Sequence, residues 1–258
     1  LYKIVLTNNE GTEGNSMTVL RQAKLNDKVD VVDGGSIVLD FDNDGDLDIC
    51  TFAKEVDGGS LDNHKINIYV WEGQSSDLIA YQTIESSFRG PTIPFCADIN
   101  GDKHPEIIFN TANGMNVLYY DLMAENSMSL KVVPDYKESA AYTAFDFNQD
   151  GKAELVYRGD NNLFLIDGVT LKPLCDPIQA FSGTIAEFPV VADVDADGHA
   201  EIVLTRAYKE WNNDDSEGYL SVYKSKTPGA WGSARKVWNQ TAYNSVNINE
   251  DLTVPQTL

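Results

Sequence analysis

Cysteine and histidine are scarce in this sequence, and their spacing gives no sign of a zinc or redox site. The 258 residues include three cysteines and three histidines. Cys50, Cys96 and Cys175 form no C-x-x-C or Cys/His spacing of the kind that binds zinc or carries redox chemistry. We interpret all three as buried thiols of β-strands, and a Cys50–Cys96 disulfide stays open as an alternative.

Positive charge and long apolar runs are also lacking. Nineteen basic residues stand against forty acidic ones, which gives a formal net charge of −21. This excess repels nucleic-acid phosphates and anionic lipid surfaces, so we expect neither partner. No run of about eighteen apolar residues exists, which predicts no membrane insertion, and the first residues lack the charged region of a signal peptide. The chain begins without Met in a strand-like segment, and we expect it to be a piece of something longer.

The acidic residues are clustered in four segments that align without gaps over ten positions. They read DFDNDGDLDI (40–49), DINGDKHPEI (98–107), DFNQDGKAEL (146–155) and DVDADGHAEI (193–202). Their first Asp residues are separated by 58, 48 and 47 positions. This near-constant spacing defines repeats at about residues 36–84, 92–133, 140–178 and 187–238.

Each repeat predicts four β-strands. An apolar run enters the acidic segment and a β-branched or aromatic run leaves it. A second pair of strands follows at 66–71 and 78–84, 114–120 and 129–133, 162–166 and 171–174, or 219–223 and 234–238. Long helical periodicity is absent, and four strands per repeat are typical of a propeller blade. We predict one all-β domain over residues 1–258, a β-propeller of four-stranded blades. Residues 2–7 and 17–22 form a partial or closing fifth blade, or the remaining blades lie outside this chain.

The acidic segments have the composition of calcium loops. Asp or Asn occupies positions one, three and five, an acid occupies position nine, and position seven offers a backbone carbonyl. The candidate metal residues at these odd positions are Asp40, Asp42, Asp44, Asp46, Asp48, Asp98, Asn100, Asp102, His104, Glu106, Asp146, Asn148, Asp150, Lys152, Glu154, Asp193, Asp195, Asp197, His199 and Glu201. Calcium takes six to eight hard oxygens, whereas a soft metal would need thiolates or imidazoles. We therefore predict about four Ca²⁺ ions.

Glycine at position six supplies the turn of three loops, but the second loop has Lys103 there. We expect a left-handed backbone at this position, which costs a residue with a side chain about 1 kcal/mol. The second loop also has fewer acids than the first and the fourth, so we predict that it is the weakest calcium site. An EF-hand is excluded because its loop ends in a glutamate at position twelve, between two helices.

Residues 36–238 resemble the FG-GAP or VCBS repeats of integrin α-subunit propellers and many bacterial surface proteins. The resemblance implies Ca²⁺ between the first two strands of a blade and loops on one rim, and members of the family generally fold as seven-bladed propellers. The chain departs from the family in having four loops and no literal FG-GAP signature, to which Phe88-Arg89-Gly90-Pro91 comes nearest. Residues 231–255 resemble a stretch that follows such repeats in large bacterial surface proteins, or they simply pack as a last strand.

The resemblance implies a secreted or cell-surface module that recognises a protein or glycan, contributes to adhesion and has no catalytic residues. Loops 54–64 and 208–218 would lie on the rim opposite the metal loops. In the second of them Tyr208, Trp211 and Asn213 are candidate ligand-binding residues, because aromatic rings stack on sugars and amides bond their hydroxyls. A polysaccharide lyase or glycosidase, and a structural spacer in a surface assembly, remain alternatives.

Overall fold

The computed structural model describes residues 2–5, 16–19, 22, 29–32, 36–56, 64–75, 77–85, 94–120, 128–136, 141–182, 187–207, 217–236 and 238. Over these ranges the chain forms antiparallel β-sheets and no helix. The all-β prediction is therefore confirmed for the described part. Those residues accordingly hold no helix that is long and apolar enough to cross a membrane.

Four of the sheets, numbered one to four here, follow one another along the chain, and each contains one acidic loop. Sheet one consists of β3 (Val29–Val32), β4 (Ile37–Leu39), β5 (Asp48–Val56), β6 (His64–Glu72) and β7 (Leu78–Ile84). Sheet two consists of β8 (Phe95–Ala97), β9 (Glu106–Thr111), β10 (Gly114–Tyr120) and β11 (Met128–Val133). Separately, β1 (Tyr2–Val5) pairs with β2 (Ser16–Val19).

Sheets three and four repeat the plan of sheet two. Sheet three consists of β12 (Ala141–Phe145), β13 (Glu154–Arg158), β14 (Asn162–Ile166) and β15 (Ile178–Gln179). Sheet four consists of β16 (Val190–Ala192), β17 (Glu201–Ala207) and β18 (Gly218–Tyr223). In each of the four sheets the strands on either side of the acidic loop pair with each other, so each loop joins the two strands of one hairpin.

The sheets pack face to face through three apolar cores. The first core lies between sheets one and two and includes Phe52, Ile68 and Phe109. The second lies between sheets two and three, and the third between sheets three and four. All six residues of β9 are buried, which shows that sheet two is covered on both faces. The first strands of neighbouring sheets also contact one another: β4 with β8, β8 with β12, and β12 with β16.

Two outer strands differ from the sequence prediction. In sheet three the outer strand is Ile178–Gln179 rather than 171–174, because the chain after β14 first makes a tight turn in which Leu171 has a φ of 57°. Residues 234–236 and 238 form no strand. Their segment is instead bonded to two acidic loops, as described below. Among the described strands no contact joins sheet four back to sheet one, so the four described sheets form an open row.

The cysteines only partly match the prediction. Cys50 is buried in β5, but Cys175 is exposed in the turn before β15, so its assignment as a buried strand thiol is wrong. All three cysteines are free thiols, and the alternative of a Cys50–Cys96 disulfide is not realised. Burial raises the pKa of Cys96 to about 11 and that of Cys50 further still. Both of these thiols are therefore neutral core residues.

Candidate metal centres

The four acidic loops share one hydrogen-bond pattern, which fixes their side chains around a common centre. The carboxylate at position one accepts from the backbone N–H of position six, for example Asp98 from Lys103 at 2.9 Å. The side chain at position three accepts from the N–H of position five, and that at position five accepts from the N–H of position seven. The same bonds recur in every copy. The side chains at positions one, three and five are thus oriented by the turn itself.

The backbone turns through two left-handed residues in each loop. At position six φ is 96° for Gly45, 74° for Lys103, 83° for Gly151 and 91° for Gly198, so the expected left-handed conformation is confirmed. Position four is left-handed too, and here the second loop has Gly101 where the others have Asn43, Gln149 and Ala196. Every loop therefore contains one glycine and one residue with a Cβ in this region. Backbone strain consequently does not set the second loop apart, and its predicted weakness now depends on its charge alone.

The acid at position nine anchors each loop to the sheet. One of its oxygens accepts from the backbone N–H of position two, at 2.9 Å for Asp48 with Phe41 and 2.9 Å for Glu106 with Ile99. The third and fourth loops make the same bond at 2.8 and 3.0 Å. All four of these acids are buried. Burial raises the pKa of Asp48 to about 7 and of Glu106 to about 8, and it raises that of Glu154 as well.

Buried oxygens without a partner show that the first and fourth loops fit a cation. Asp48 Oδ1, Asp193 Oδ1 and Glu201 Oε1 have no hydrogen-bond partner among the described residues. Oxygens of Asp40, Asp42 and Asp48 lie within 4.8 Å of one another, as do those of the fourth loop at positions one, three and five. Burying a carboxylate oxygen without a hydrogen bond or counter-charge is costly. These hard oxygen sets suit Ca²⁺.

The second and third loops have an amide at position three, and its N–H₂ group now bridges the acids. Asn100 Nδ2 donates to Asp102 at 2.9 Å and to Glu106 Oε1 at 2.7 Å. Asn148 makes the matching bonds at 3.2 Å each. To serve as a ligand, each amide would turn its oxygen toward the centre. These two loops therefore fit a cation only after that rotation.

The two histidines at position seven direct their rings away from the loop centre. His104 Nδ1 lies 3.4 Å from the carbonyl oxygen of Phe41 in the first loop, and its ring stacks on Tyr120. His199 Nδ1 lies 2.8 Å from the carbonyl oxygen of Trp231. The imidazoles thus contact neighbouring segments of the chain. At position seven, the group that remains available to a cation in the loop is the backbone carbonyl.

The segment between residues 230 and 236 links the third and fourth loops. The N–H of Gly232 donates to the carbonyl of Phe147, and the carbonyl of Gly232 accepts from Ala200. The carbonyl of Arg235 accepts from the N–H of Asp193 at 3.0 Å, and Trp231 packs on Phe147. The predicted outer strand at 234–238 is absent among its described residues, and the segment instead holds two acidic loops in place.

One position beside each loop was not found from the sequence. It lies on the third strand of the sheet, opposite the acid at position nine, as the pairing of Glu72 with Asp48 shows. In each sheet it is the residue that comes directly after the strand partner of position ten. The four residues are Glu72, Tyr119, Asp167 and Lys224. We call this the cross-strand position. Its residue is acidic in the first and third sheets, aromatic in the second and basic in the fourth, and each of the four lies in the electrostatic surroundings of its own loop.

The predicted ligand residues Tyr208, Trp211 and Asn213 lie outside the described residues. The two ends of their loop, Ala207 and Gly218, border a cavity of about 340 Å³. Its lining also includes Phe181, Glu187 and Arg206, whose guanidinium lies 5.6 Å from the ring centre of Tyr219. Since β17 runs from the metal loop to this cavity, the two sites lie at opposite ends of the strand, about 20 Å apart at about 3.3 Å per residue.

Comparison with known proteins finds a repeat family that the first two loops resemble. Residues 40–109, which contain the first two loops, match a model described as an FG-GAP-like repeat. No curated protein matches the chain. Among solved structures, the crystal structure of the V. cholerae biofilm matrix protein Bap1 aligns with 96% of this chain at 18% identity and a TM-score of 0.43. This chain spans 42% of the length of that one.

Proposed function

We propose that this chain is a calcium-stabilised, non-catalytic module of an extracellular or cell-surface protein, and that it recognises a protein or glycan. The observation that carries the proposal is the repetition of one acidic loop in four sheets, with a buried acid at position nine in each. A plain surface turn has no need to bury a carboxylate. Four Ca²⁺ ions would change the formal charge from −21 to −13. The match to an FG-GAP-like repeat over residues 40–109 is compatible with an adhesion module.

The architecture that we propose is a β-propeller, or a part of one that further blades complete. Its support is the row of four sheets with contacting first strands and a separate apolar core between each pair of neighbours. The residue at position two is buried in the first three loops, as Phe41, Ile99 and Phe147, whereas Val194 in the fourth loop is 51% exposed. A next blade, from this chain or another segment of a longer polypeptide, would cover Val194.

The recognition surface that we propose is the cavity at the far end of β17. It combines the aromatic faces of Phe181 and Tyr219 with the charged groups of Arg206 and Glu187. Aromatic rings beside a few charged or polar groups suit a sugar ring or a peptide. Because the calcium loops lie at the other end of the strand, calcium would stabilise the scaffold without touching the ligand.

A binding screen tests this function. We would present a glycan array and a panel of bacterial and host surface proteins to the chain, with calcium and with chelator. The expected result is calcium-dependent binding that Arg206→Ala abolishes and that Lys131→Ala, an exposed charge in sheet two, leaves intact. Absence of any ligand would contradict recognition, and cleavage of a bound glycan would replace it with a lyase or glycosidase function.

A structural role in a surface assembly is the second candidate, because the outer strand of sheet four exposes apolar side chains. Leu220 is 70% exposed and Val222 is 52% exposed on the same side of β18. Exposed apolar side chains that lie together often mark an interface. Under this alternative, the screens for glycan and protein ligands would find no binding. Leu220→Ser would prevent co-assembly with partner chains.

A further inference from the structure

A lysine side chain lies among the acids of the fourth loop. Lys224, which follows β18, places its Nζ 2.6 Å from Asp195 Oδ2 and 3.0 Å from Asp197 Oδ2. The same nitrogen lies 3.7 Å from Glu201 Oε1. These three residues occupy positions three, five and nine, so the ammonium contacts the oxygens that the proposed function assigns to calcium.

The lysine does not neutralise the whole site. Asp193 Oδ1 and Glu201 Oε1 are buried and have no hydrogen-bond partner among the described residues, and the ammonium lies too far from Glu201 for a hydrogen bond. The loop retains four carboxylates against one ammonium. A dication would therefore still find uncompensated oxygens, and it would have to displace the ammonium to reach them.

The other loops have no such internal cation at the cross-strand position. The first loop has Glu72 there, and the pKa of Asp48 is raised mainly by burial, with smaller contributions from Asp42, Glu72 and Asp44. The second loop has Tyr119, and the third has Asp167, whose carboxylate is bonded to the backbone N–H of Thr170. Of the four cross-strand residues, Lys224 is thus the one that brings a positive charge to its loop.

We propose that Lys224 acts as an intramolecular cation that calcium must displace, so that the fourth loop, and not the second loop as its fewer acids predict, is the weakest of the four calcium sites. This rests on the proposed function, since it assumes that the loops bind calcium. The ammonium stabilises the fourth loop when calcium is absent, and its stem is free to swing into solvent because the side chain is 48% exposed. The chain then fills three sites at low calcium and the fourth only at higher calcium.

The test compares Lys224→Met with Lys226→Met, an exposed lysine two residues further on. Calcium bound per chain is measured by equilibrium dialysis over a wide range of free calcium. In the wild type we expect the last ion to bind in a separate, weaker phase. Lys224→Met should shift that phase to about tenfold lower calcium, which corresponds to about 1.4 kcal/mol, and Lys226→Met should leave it unchanged. Asp197→Ala should remove it.

A second readout separates competition from a merely structural role. In chelator, Lys224→Met should lower the melting temperature because the loop loses its internal cation, while calcium should restore it fully. A lower melting temperature without any gain in calcium affinity would overturn the proposal, as would loss of the weakest phase in Asp102→Ala rather than Asp197→Ala. If neither the wild type nor any variant binds calcium, the proposed function itself fails.

Discussion

Replacing the buried acid of the first loop by its amide should have opposite effects with and without calcium. Asp48 is fully buried, one of its oxygens is bonded to Phe41, and the acids Asp42, Asp44 and Glu72 lie close by. Asp48→Asn keeps the bond to Phe41 through its amide oxygen. Its N–H₂ group can donate to a neighbouring carboxylate. The substitution therefore removes a charge without creating a cavity.

The magnitude follows from the pKa of Asp48, which burial raises from 3.8 to about 7. Each pKa unit corresponds to about 1.36 kcal/mol, so the ionised form costs about 4 kcal/mol in the metal-free fold. Solvent at the edge of the loop screens part of this electrostatic cost, and we take about 2 kcal/mol as the expected change in the free energy of unfolding. For an acid whose pKa is raised by folding, the cost is full above the folded pKa and vanishes below the unfolded one.

The assay is urea unfolding of the wild type and Asp48→Asn in chelator and in saturating calcium. In chelator at about pH 8, the variant should be more stable by about 2 kcal/mol, and this advantage should shrink as the pH falls toward about 4. In calcium the advantage should vanish or reverse, because a charged ligand has been lost. Asp135→Asn, an exposed acid outside the loops, is the control. A variant that is destabilised equally in both conditions would refute the reasoning.

Two further predictions concern the loops. Chelation should lower the melting temperature, because fifteen carboxylates in the four loops then repel one another. Calcium at about a hundred times its dissociation constant should add about 2.7 kcal/mol to the free energy of unfolding per independent site. An unchanged melting temperature would exclude a stabilising role. Lys103→Gly should stabilise the chain by about 1 kcal/mol and Gly45→Ala should destabilise it, since both residues have a positive φ. Chemical denaturation measures both variants, and no gain in Lys103→Gly would mean that its left-handed backbone carries little strain.

The sequence was sufficient to locate the four loops and the strands that flank them. The reason is that the loops are local: alternate side chains and a glycine within nine residues determine the turn. The left-handed backbone at position six was predictable from Gly45, Gly151 and Gly198. The second left-handed residue, at position four, was not predicted, because Asn43, Gln149 and Ala196 share no side-chain chemistry.

The features that depend on pairing could not be read from the sequence. The cross-strand position lies opposite Asp48 only because of the register between β5 and β6, and the connection between the second and third strands has a different length in each sheet. Lys224 was therefore not associated with the fourth loop. The segment from 230 to 236 has strand-like apolar residues. Its backbone, however, forms hydrogen bonds with the backbone of Phe147, Ala200 and Asp193 in place of the regular hydrogen bonds of a β-strand.

The central claim is that four calcium ions occupy the four loops, and a count of bound metal tests it most directly. The chain would be stripped with chelator, reloaded with calcium, dialysed extensively and analysed for metal and protein together. We expect about four calcium ions per chain, of which one is lost first on dilution of calcium. Fewer than three ions per chain would contradict it.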